Sequence, residues 1–376
     1  MDLAFSADEE AFAAEVRVWL AAHVEPVPDG GLASPEDEVA SGRAFQARLA
    51  AARWVGIQWP TEYGGRAATP VQVALYNLEY ARAHAPQPLN RVGLNLAGPT
   101  LLAWGTERQR QRWLPPILDA SELWCQLFSE PGAGSDLASL RTAAIHDDGA
   151  GGWRLSGQKV WTSYAPFARW GICLARTAAG ITYFVLDMHQ PGVDVRPLKQ
   201  ITGEREFSEV FLDGAFVPDE NLIGDDGDGW RVAATTLAHE RGTSFPFKEQ
   251  AVHEAYLDEL WAMAARRGRL DDADVLDGLT RGWLEVRMLR LHNWRTLTRL
   301  ARGEQPGPES SLVKLAWTDA TQHLSAAALD VVGEEAPVVG PWSRQWLWSR
   351  AASIAGGTSE IQRTILGEKV LGLPTQ

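Results

Sequence analysis

Three short stretches carry residue types able to do chemistry. The first reads Trp124-Cys125-Gln126-Leu127-Phe128-Ser129-Glu130-Pro131-Gly132-Ala133-Gly134-Ser135-Asp136, a strand running into a Pro-Gly turn. Its small residues leave backbone N–H groups open to a phosphate or a carbonyl-rich ring, and Ser135 adds a hydroxyl. On the letters alone, a plain strand-to-turn junction is the simpler reading. The second, Gly356-Gly357-Thr358-Ser359-Glu360, reads as a helix start with a Thr or Ser cap, whose free amides suit an anionic group. A capped helix with no ligand explains the same residues. The third, Glu240-Arg241, is by itself the dipeptide of a surface ion pair.

Other chemistries find less support. The only cysteines are Cys125 and Cys173, with no C-x-x-C, so two buried thiols are expected rather than a disulfide framework or a thiolate zinc site. The 8 histidines include no H-E-x-x-H, and no metal is expected. No G-x-G-x-x-G follows a strand and no G-x-x-x-x-G-K-[ST] occurs, so a nucleotide cofactor must bind by other means. A net charge of −13, with 45% hydrophobic and 22% charged residues, argues against disorder and against a nucleic-acid-binding surface. Neither a basic leader nor a run of roughly 18 apolar residues is seen, so a cytoplasmic protein without a membrane span is expected.

The elements that must position these residues follow from periodicity. Ser6, with Glu9 in the capping-box position, predicts a helix start, and Phe12, Val16, Trp19 and Leu20 follow at helical spacing. Helical patterns continue over 39–54, 70–84, 94–103 and 107–114. From Trp124 to Leu222, aromatic and β-branched segments at 152–155, 160–163, 181–186 and 209–212 predict strands. Residues 224–229, Gly-Asp-Asp-Gly-Asp-Gly, predict a flexible acidic turn, and helical periodicity returns from Trp230. Leu276, Leu279, Trp283 and Val286 predict a buried stripe on a long bundle helix. The fold class is therefore α+β: an all-α domain over 1–122, a β domain over 123–228 and a helical bundle over 229–376, not a doubly wound sheet.

Four segments in order, 59–65 (Trp-Pro-Thr-Glu-Tyr-Gly-Gly), 129–136, 157–163 (Gly-Gln-Lys-Val-Trp-Thr-Ser) and 356–363 (Gly-Gly-Thr-Ser-Glu-Ile-Gln-Arg), resemble the acyl-CoA dehydrogenase family. The likeness covers nearly the whole chain. It implies an N-terminal helical domain, a central β-barrel, a C-terminal four-helix bundle, FAD as cofactor and an acyl-CoA as substrate. The positions that match FAD contacts are Gln126, Phe128, Ser129, Gly134 and Ser135, then Trp161, Thr162 and Ser163, then Thr358 and Glu360. By the resemblance Trp161 flanks the isoalloxazine, while hydroxyls and amides bond its polar edge and the pyrophosphate. Without its neighbours Trp161, one of 17 Trp, would read as a core aromatic on a strand.

The implied reaction is α,β-dehydrogenation, in which a carboxylate removes the α proton and flavin N5 accepts the β hydride. A thioester α proton is a weak acid, so the site must desolvate the carboxylate and supply donors to the enolate-like oxygen. In much of the family that Glu directly precedes the Gly of the Gly-Thr-Ser turn, a place held here by Gly356. A branch of the family carries it on an early helix of the bundle, directly before an Arg, and the matching residue is Glu240. The same resemblance sets Arg241 and Ser135 near the acyl-CoA and lets Gly356 and Gly357 offer N–H groups to the thioester oxygen, with an FAD ribityl hydroxyl as second donor.

Family homotetramers complete each FAD site with a neighbouring subunit's Arg-x-x-Phe-Gly Arg and a Gln before a Gly-Gly turn. Here 264–271 reads Ala-Ala-Arg-Arg-Gly-Arg-Leu-Asp and 329–335 reads Leu-Asp-Val-Val-Gly-Glu-Glu, so Asp330 and Glu334 would repel a pyrophosphate. Two assemblies stay open: a heterotetramer with a related chain, as in family members acting on bulky steroid side-chain thioesters, or a homotetramer in which Arg266 or Arg267 suffices. Electron-transferring flavoprotein is the implied acceptor. A catalytically silent binding or scaffold subunit is the alternative from another class, and an acyl-carrier-protein thioester is a further variant of the substrate.

Overall fold

A computed structural model describes residues 5–25, 34–240, 244–304, 307–338 and 340–374, and for 239, 240 and 244–246 the backbone alone. The helices are α1 (Ala7–His23), α2 (Pro35–Ala51), α3 (Pro70–Arg82), α4 (Gly98–Trp104), α5 (Glu107–Leu118), α6 (Gly229–Glu240), α7 (Ser244–Arg266), α8 (Ala273–Ala301), α9 (Ser310–Val332), α10 (Pro341–Ser349) and α11 (Ser359–Ile365). The strands are β1 (Trp124–Leu127), β2 (Ala143–Asp147), β3 (Gly152–Ser163), β4 (Trp170–Arg176), β5 (Ile181–Asp187), β6 (Val193–Pro197), β7 (Phe207–Pro218) and β8 (Leu222–Ile223). They fall into two compact units: Met1–Glu25, Thr69–Ala85 and Arg241–Gln376 in a bundle unit, Pro26–Ala68 and Pro86–Glu240 in a sheet unit. The helices of the first third are thus shared between units, and α6 belongs with the sheet.

In the bundle unit the Ser6 capping box starts α1 as expected. Buried Glu79 on α3 accepts from Arg17 at 2.8 and 2.9 Å and from Arg82 at 2.8 Å, which ties α1 to α3. Helices α7, α8 and α9 share a core of Leu257, Leu260, Leu279, Val286, Leu324 and Val331. The expected stripe on α8 needs correction: Leu276 and Trp283 are exposed, and the buried face runs through Val275, Leu279, Gly282, Val286, Leu289, Asn293 and Leu297. Spacings of three and four fit two adjacent faces of a helix, and packing against α9 selects this one. Gly282 lies where a Cβ would come within 2.4 Å of Leu324, so the selected face also requires a missing side chain.

In the sheet unit the strands form one ladder in the order β6-β7-β3-β2-β4-β5-β8, with β1 parallel to β4. Residues of β1 to β5 and β7, among them Leu127, Leu155, Cys173, Phe184 and Val210, meet in one core, so the sheet curls around it. Cys125 and Cys173 are buried there, and burial pushes the Cys173 thiol up to about 11. The two segments expected at 152–155 and 160–163 are a single strand, β3, interrupted by bulges. The acidic turn at 224–229 is pinned rather than flexible: Asp226 Oδ1 accepts from Thr177 at 2.5 Å and Thr182 at 2.8 Å, and Gly227 N–H donates to Thr182 at 2.9 Å. This clamp on the β4–β5 hairpin sets where α6 begins. Among the described residues no helix is long and apolar enough to cross a membrane, and no group of three or more His, Cys, Asp or Glu is arranged to hold a metal ion.

Candidate active site

The 129–136 turn is held from beneath by a buried ion pair. Glu130 and Ala133 exchange backbone hydrogen bonds of 3.0 Å, closing the turn. Lys159 Nζ, fully buried on β3, donates to Glu130 Oε1 at 2.8 Å and to Phe128 O at 3.1 Å. Glu130 also accepts from the N–H groups of Arg141 at 2.7 Å and Thr142 at 2.9 Å. Burial opposes ionisation of Glu130, but the Lys159 ammonium and these N–H donors outweigh it and hold the carboxyl below its ordinary range. Above this base the turn is open: a Cβ at Gly132 or Gly134 would meet nothing within 4 Å, and Ser135 is exposed. Both Glu130 and Lys159 stand in the motif segments of the sequence, but no local pattern there pairs residues twenty-nine positions apart.

Val160 N–H donates to Ser129 O at 3.0 Å, so β3 lies alongside the end of the first segment. Register with β7 then slips between Lys159 and Thr162, leaving two residues of β3 opposite one of β7. At the slip Trp161 adopts φ 62°, a left-handed conformation that bulky residues avoid and that costs about 1–3 kcal/mol. Its indole stands 62% exposed, braced edge-on by Phe207 at 6.2 Å. Next to it Thr162 is fully buried, and its Oγ1 has no hydrogen-bond partner among the described residues. A propped flat ring, an unsatisfied hydroxyl beside it and open glycine backbone are the features a flavin would use, so these residues fit FAD. Phe128 is buried, while Gln126, Ser129 and Ser163 are partly exposed.

Helix α6, which ends at Glu240, packs within the same unit against β5, α4 and the π-helical turn Gly93–Ala97. Thr236, one turn before Glu240, lies 2.8 Å from Thr100 Oγ1 and 3.2 Å from Tyr183 OH, and Thr235 accepts from Trp104 Nε1 at 2.9 Å. The side chain of Glu240 and the whole of Arg241 lie outside the described residues.

In the bundle unit Gly356 and Gly357 both have left-handed φ, 67° and 89°. Their carbonyls accept from Gln362 Nε2 at 3.0 and 3.4 Å, and no acceptor among the described residues takes their N–H groups. A Cβ on Gly357 would come within 2.7 Å of that same Gln362 nitrogen. Thr358 caps α11 by accepting from Ile361 N–H at 3.3 Å, and Glu360 is exposed beside Arg363. Arg266, exposed at the end of α7, is not brought to this turn. Its neighbour Arg267 bonds Val332 O at the C-terminal end of α9, whereas the chain before Gly356 is held near the other end by Lys314 Nζ donating to Ala352 O. Eighteen helical residues, about 27 Å, separate Lys314 from Val332.

The two stretches expected to serve a neighbour's cofactor do meet: Arg267 Nη2 donates to Glu335 at 2.8 Å and Nη1 to Val332 O at 3.1 Å, while Arg269 pairs locally with Asp272 at 2.6 Å. A recess lined by Arg269, Asp272, Asp274, Leu329 and Asp330 lies between them. Burial and the Asp274 and Asp272 charges raise the Asp330 carboxyl above its ordinary range.

Comparison with known proteins covers the chain almost end to end. Models for the N-terminal, middle and C-terminal domains of acyl-CoA dehydrogenase match residues 6–121, 125–215 and 227–371. The chain is 44% identical to acyl-CoA dehydrogenase IpdE1 of Mycobacterium tuberculosis, over 98% of this chain and 99% of that one. It is 40% identical to the IpdE1 of Mycolicibacterium smegmatis, over 97% and 98%. Among solved structures, the Tcur3481-Tcur3483 steroid ACAD superposes with a TM-score of 0.85 at 25% identity over 100% of both chains. The ChsE4-ChsE5 complex from Mycobacterium tuberculosis does so with a TM-score of 0.84 at 27% identity, again over 100% of both.

Proposed function

The chain belongs to the acyl-CoA dehydrogenase family of FAD-dependent oxidoreductases, and from that premise we propose that Glu240 is the general base of an acyl-CoA α,β-dehydrogenation. The observation that carries the assignment is that α6, ending in Glu240, lies in one unit with Trp161 on β3 and with Phe128 just past β1, while the position before the Gly-Thr-Ser turn is Gly356 and has no carboxylate. Glu240 takes the α proton, and the bonding pair left on carbon is delocalised toward the thioester oxygen, to which the N–H groups of Gly356 and Gly357 donate. Bound FAD supplies the acceptor for the β hydride. Trp161 offers its indole face to the flavin, Thr162 its unsatisfied hydroxyl, and Gln126, Ser129, Gly134, Ser135, Ser163, Thr358 and Glu360 further contacts. Ser135 and Arg241 hold the acyl-CoA, and electron-transferring flavoprotein is the acceptor for the reduced enzyme.

A steroid side-chain thioester is the substrate we favour, supported by the likeness to a steroid ACAD. A related chain is the partner we favour, because Asp272, Asp274 and Asp330 crowd the face where a neighbour's pyrophosphate would need cations. Replacing Glu240→Gln should leave FAD bound and lower turnover by about 10³-fold, a typical contribution of a positioned base. Near-normal product formation from acyl-CoA would remove the assignment. The silent-subunit reading, which the missing carboxylate at Gly356 favours, would then take its place.

A further inference from the structure

A line of three hydroxyls crosses the interior of the sheet unit. Thr100, Thr236 and Tyr183 are each no more than 1% exposed. Thr100 gives its proton to Leu96 O at 2.8 Å, inside the π-helical turn. At the 2.8 Å contact between the two threonines, Thr236 must therefore donate and Thr100 accept, with Val232 O at 3.3 Å a longer second acceptor for the same proton. Tyr183, 3.2 Å away, is left to donate to Thr236. The donation runs one way, Tyr183 to Thr236 to Thr100 to Leu96, and leaves no donor over. The other side of Tyr183 is equally specific: its ring meets Phe128 edge-on at 5.8 Å and 85°.

We propose that Tyr183 and Thr236 are positioning residues which hold helix α6 at a fixed depth against the Phe128 segment and thereby set the reach of Glu240; this rests on the assignment of Glu240 as base. An apolar contact would let the helix slide or rotate, whereas a directional hydroxyl line gives it one register. Thr236 and Glu240 are four residues apart on the backbone of α6, so a rotation of the helix at the first is carried to the second.

The test uses the FAD-loaded protein and an acyl-CoA with sulfur at the β position, which has α protons to exchange but no β hydride to give. Exchange of those protons in D2O, followed by mass spectrometry, breaks only the α C–H bond, and the deuteron returns to the same carbon. Tyr183→Phe and Thr236→Val should slow exchange about 10- to 100-fold, as expected for a base displaced by about an ångström. Bound FAD per chain should be unchanged, and affinity for the thioester should hold within about 3-fold, because neither substitution touches the ligand. Thr236→Ser, which keeps the hydroxyl, should restore the exchange rate and its pH profile. Tyr183→Phe leaves Thr236 its own donation and strands no buried proton, so it serves even where Thr236→Val fails to fold. Wild-type exchange in FAD-loaded Tyr183→Phe, with Glu240→Gln inactive, would overturn the positioning role alone. Exchange surviving in Glu240→Gln would remove the base and this inference with it.

Discussion

In the sheet unit Lys159 and Glu130 are buried and bonded to the backbone of the very turn they support, whereas in the bundle unit Arg267 and Arg269 fold back onto Glu335 and Asp272 near the surface. The first arrangement stiffens a turn and leaves its outer amides open. The second engages Arg267, one of the two arginines that the family resemblance offers to a neighbour's pyrophosphate. Surface pairs of this kind are worth only about 0–1 kcal/mol, so an arginine alone would be redirected readily. Asp330 cannot be redirected, because it is built into α9 with Asp272 and Asp274 beside it. The contrast teaches that a buried ion pair can shape a backbone turn, whereas pairs near the surface leave the backbone around them largely unshaped.

The sharpest way to break that contrast is to measure flavin per chain. Purified alone, the protein should hold FAD at well below stoichiometry. Losing two charge-assisted contacts and gaining a nearby carboxylate together cost about 4 kcal/mol, on the order of 10³-fold in affinity. Co-expression with a related chain that supplies an Arg and a Gln before Gly-Gly should restore the yellow colour. Full occupancy in the lone chain would show that Arg266 or Arg267 suffices and that the recess has been misjudged.

A second prediction sharpens the other side. Lys159→Met removes the cation and leaves Glu130 charged in a dry place, which should destabilise the sheet unit by about 3 kcal/mol. Tm should fall, and bound FAD should be lost with the turn. Glu130→Gln in the same background should recover part of the loss, because the stranded charge is gone. Unchanged stability in Lys159→Met would mean that the turn holds its shape without the pair.

Much of this was legible in the sequence where local chemistry decides. Ser6 with Glu9 announced a capping box that forms, and the helices and strands near the motifs begin within a few residues of expectation. Long-range choices were not legible. Nothing in Val160-Trp161-Thr162 announces a bulge, since all three suit a regular strand; the left-handed Trp161 is imposed by pairing with β7. Asp226 lies in a glycine-rich turn that reads as loose, yet Thr177 and Thr182, more than forty residues earlier, capture it. Residues 70–82 form an amphipathic helix that names no partner, and it proves to pack against both α7 and α1, which draws α3 into the bundle unit. Trp161 and Thr162 stand in a motif that the sequence displays, whereas the Tyr183 to Leu96 hydroxyl line depends on β5, α6, α4 and the Gly93–Ala97 turn meeting.

The smallest predicted effect lies in the bundle core. His253 on α7 is buried, with Nδ1 2.7 Å from Glu249 O and Nε2 2.9 Å from Thr321 Oγ1. A carbonyl can only accept, so Nδ1 carries the proton, and a neutral ring then needs Thr321 to donate to Nε2. Thr321 has a competing acceptor in Trp317 O at 2.7 Å, a conflict that protonation of the ring would relieve. Burial nevertheless dominates and lowers the His253 pKa, against the opposing pull of the Glu249 charge and carbonyl. With the folded pKa below the ordinary 6.5, the unfolded chain binds more protons as the medium is acidified. Stability is therefore fully present above pH of about 6.5 and declines below it, by at most about 1.4 kcal/mol per pH unit. Thermal unfolding followed from pH 7.5 down to about pH 5.5 should show this slope, and His253→Gln should flatten it while leaving the midpoint at pH 7.5 within a few degrees. An unaltered slope in that variant would assign the acid sensitivity to carboxylates such as Glu130 in the sheet unit, reversing which of the two units weakens first.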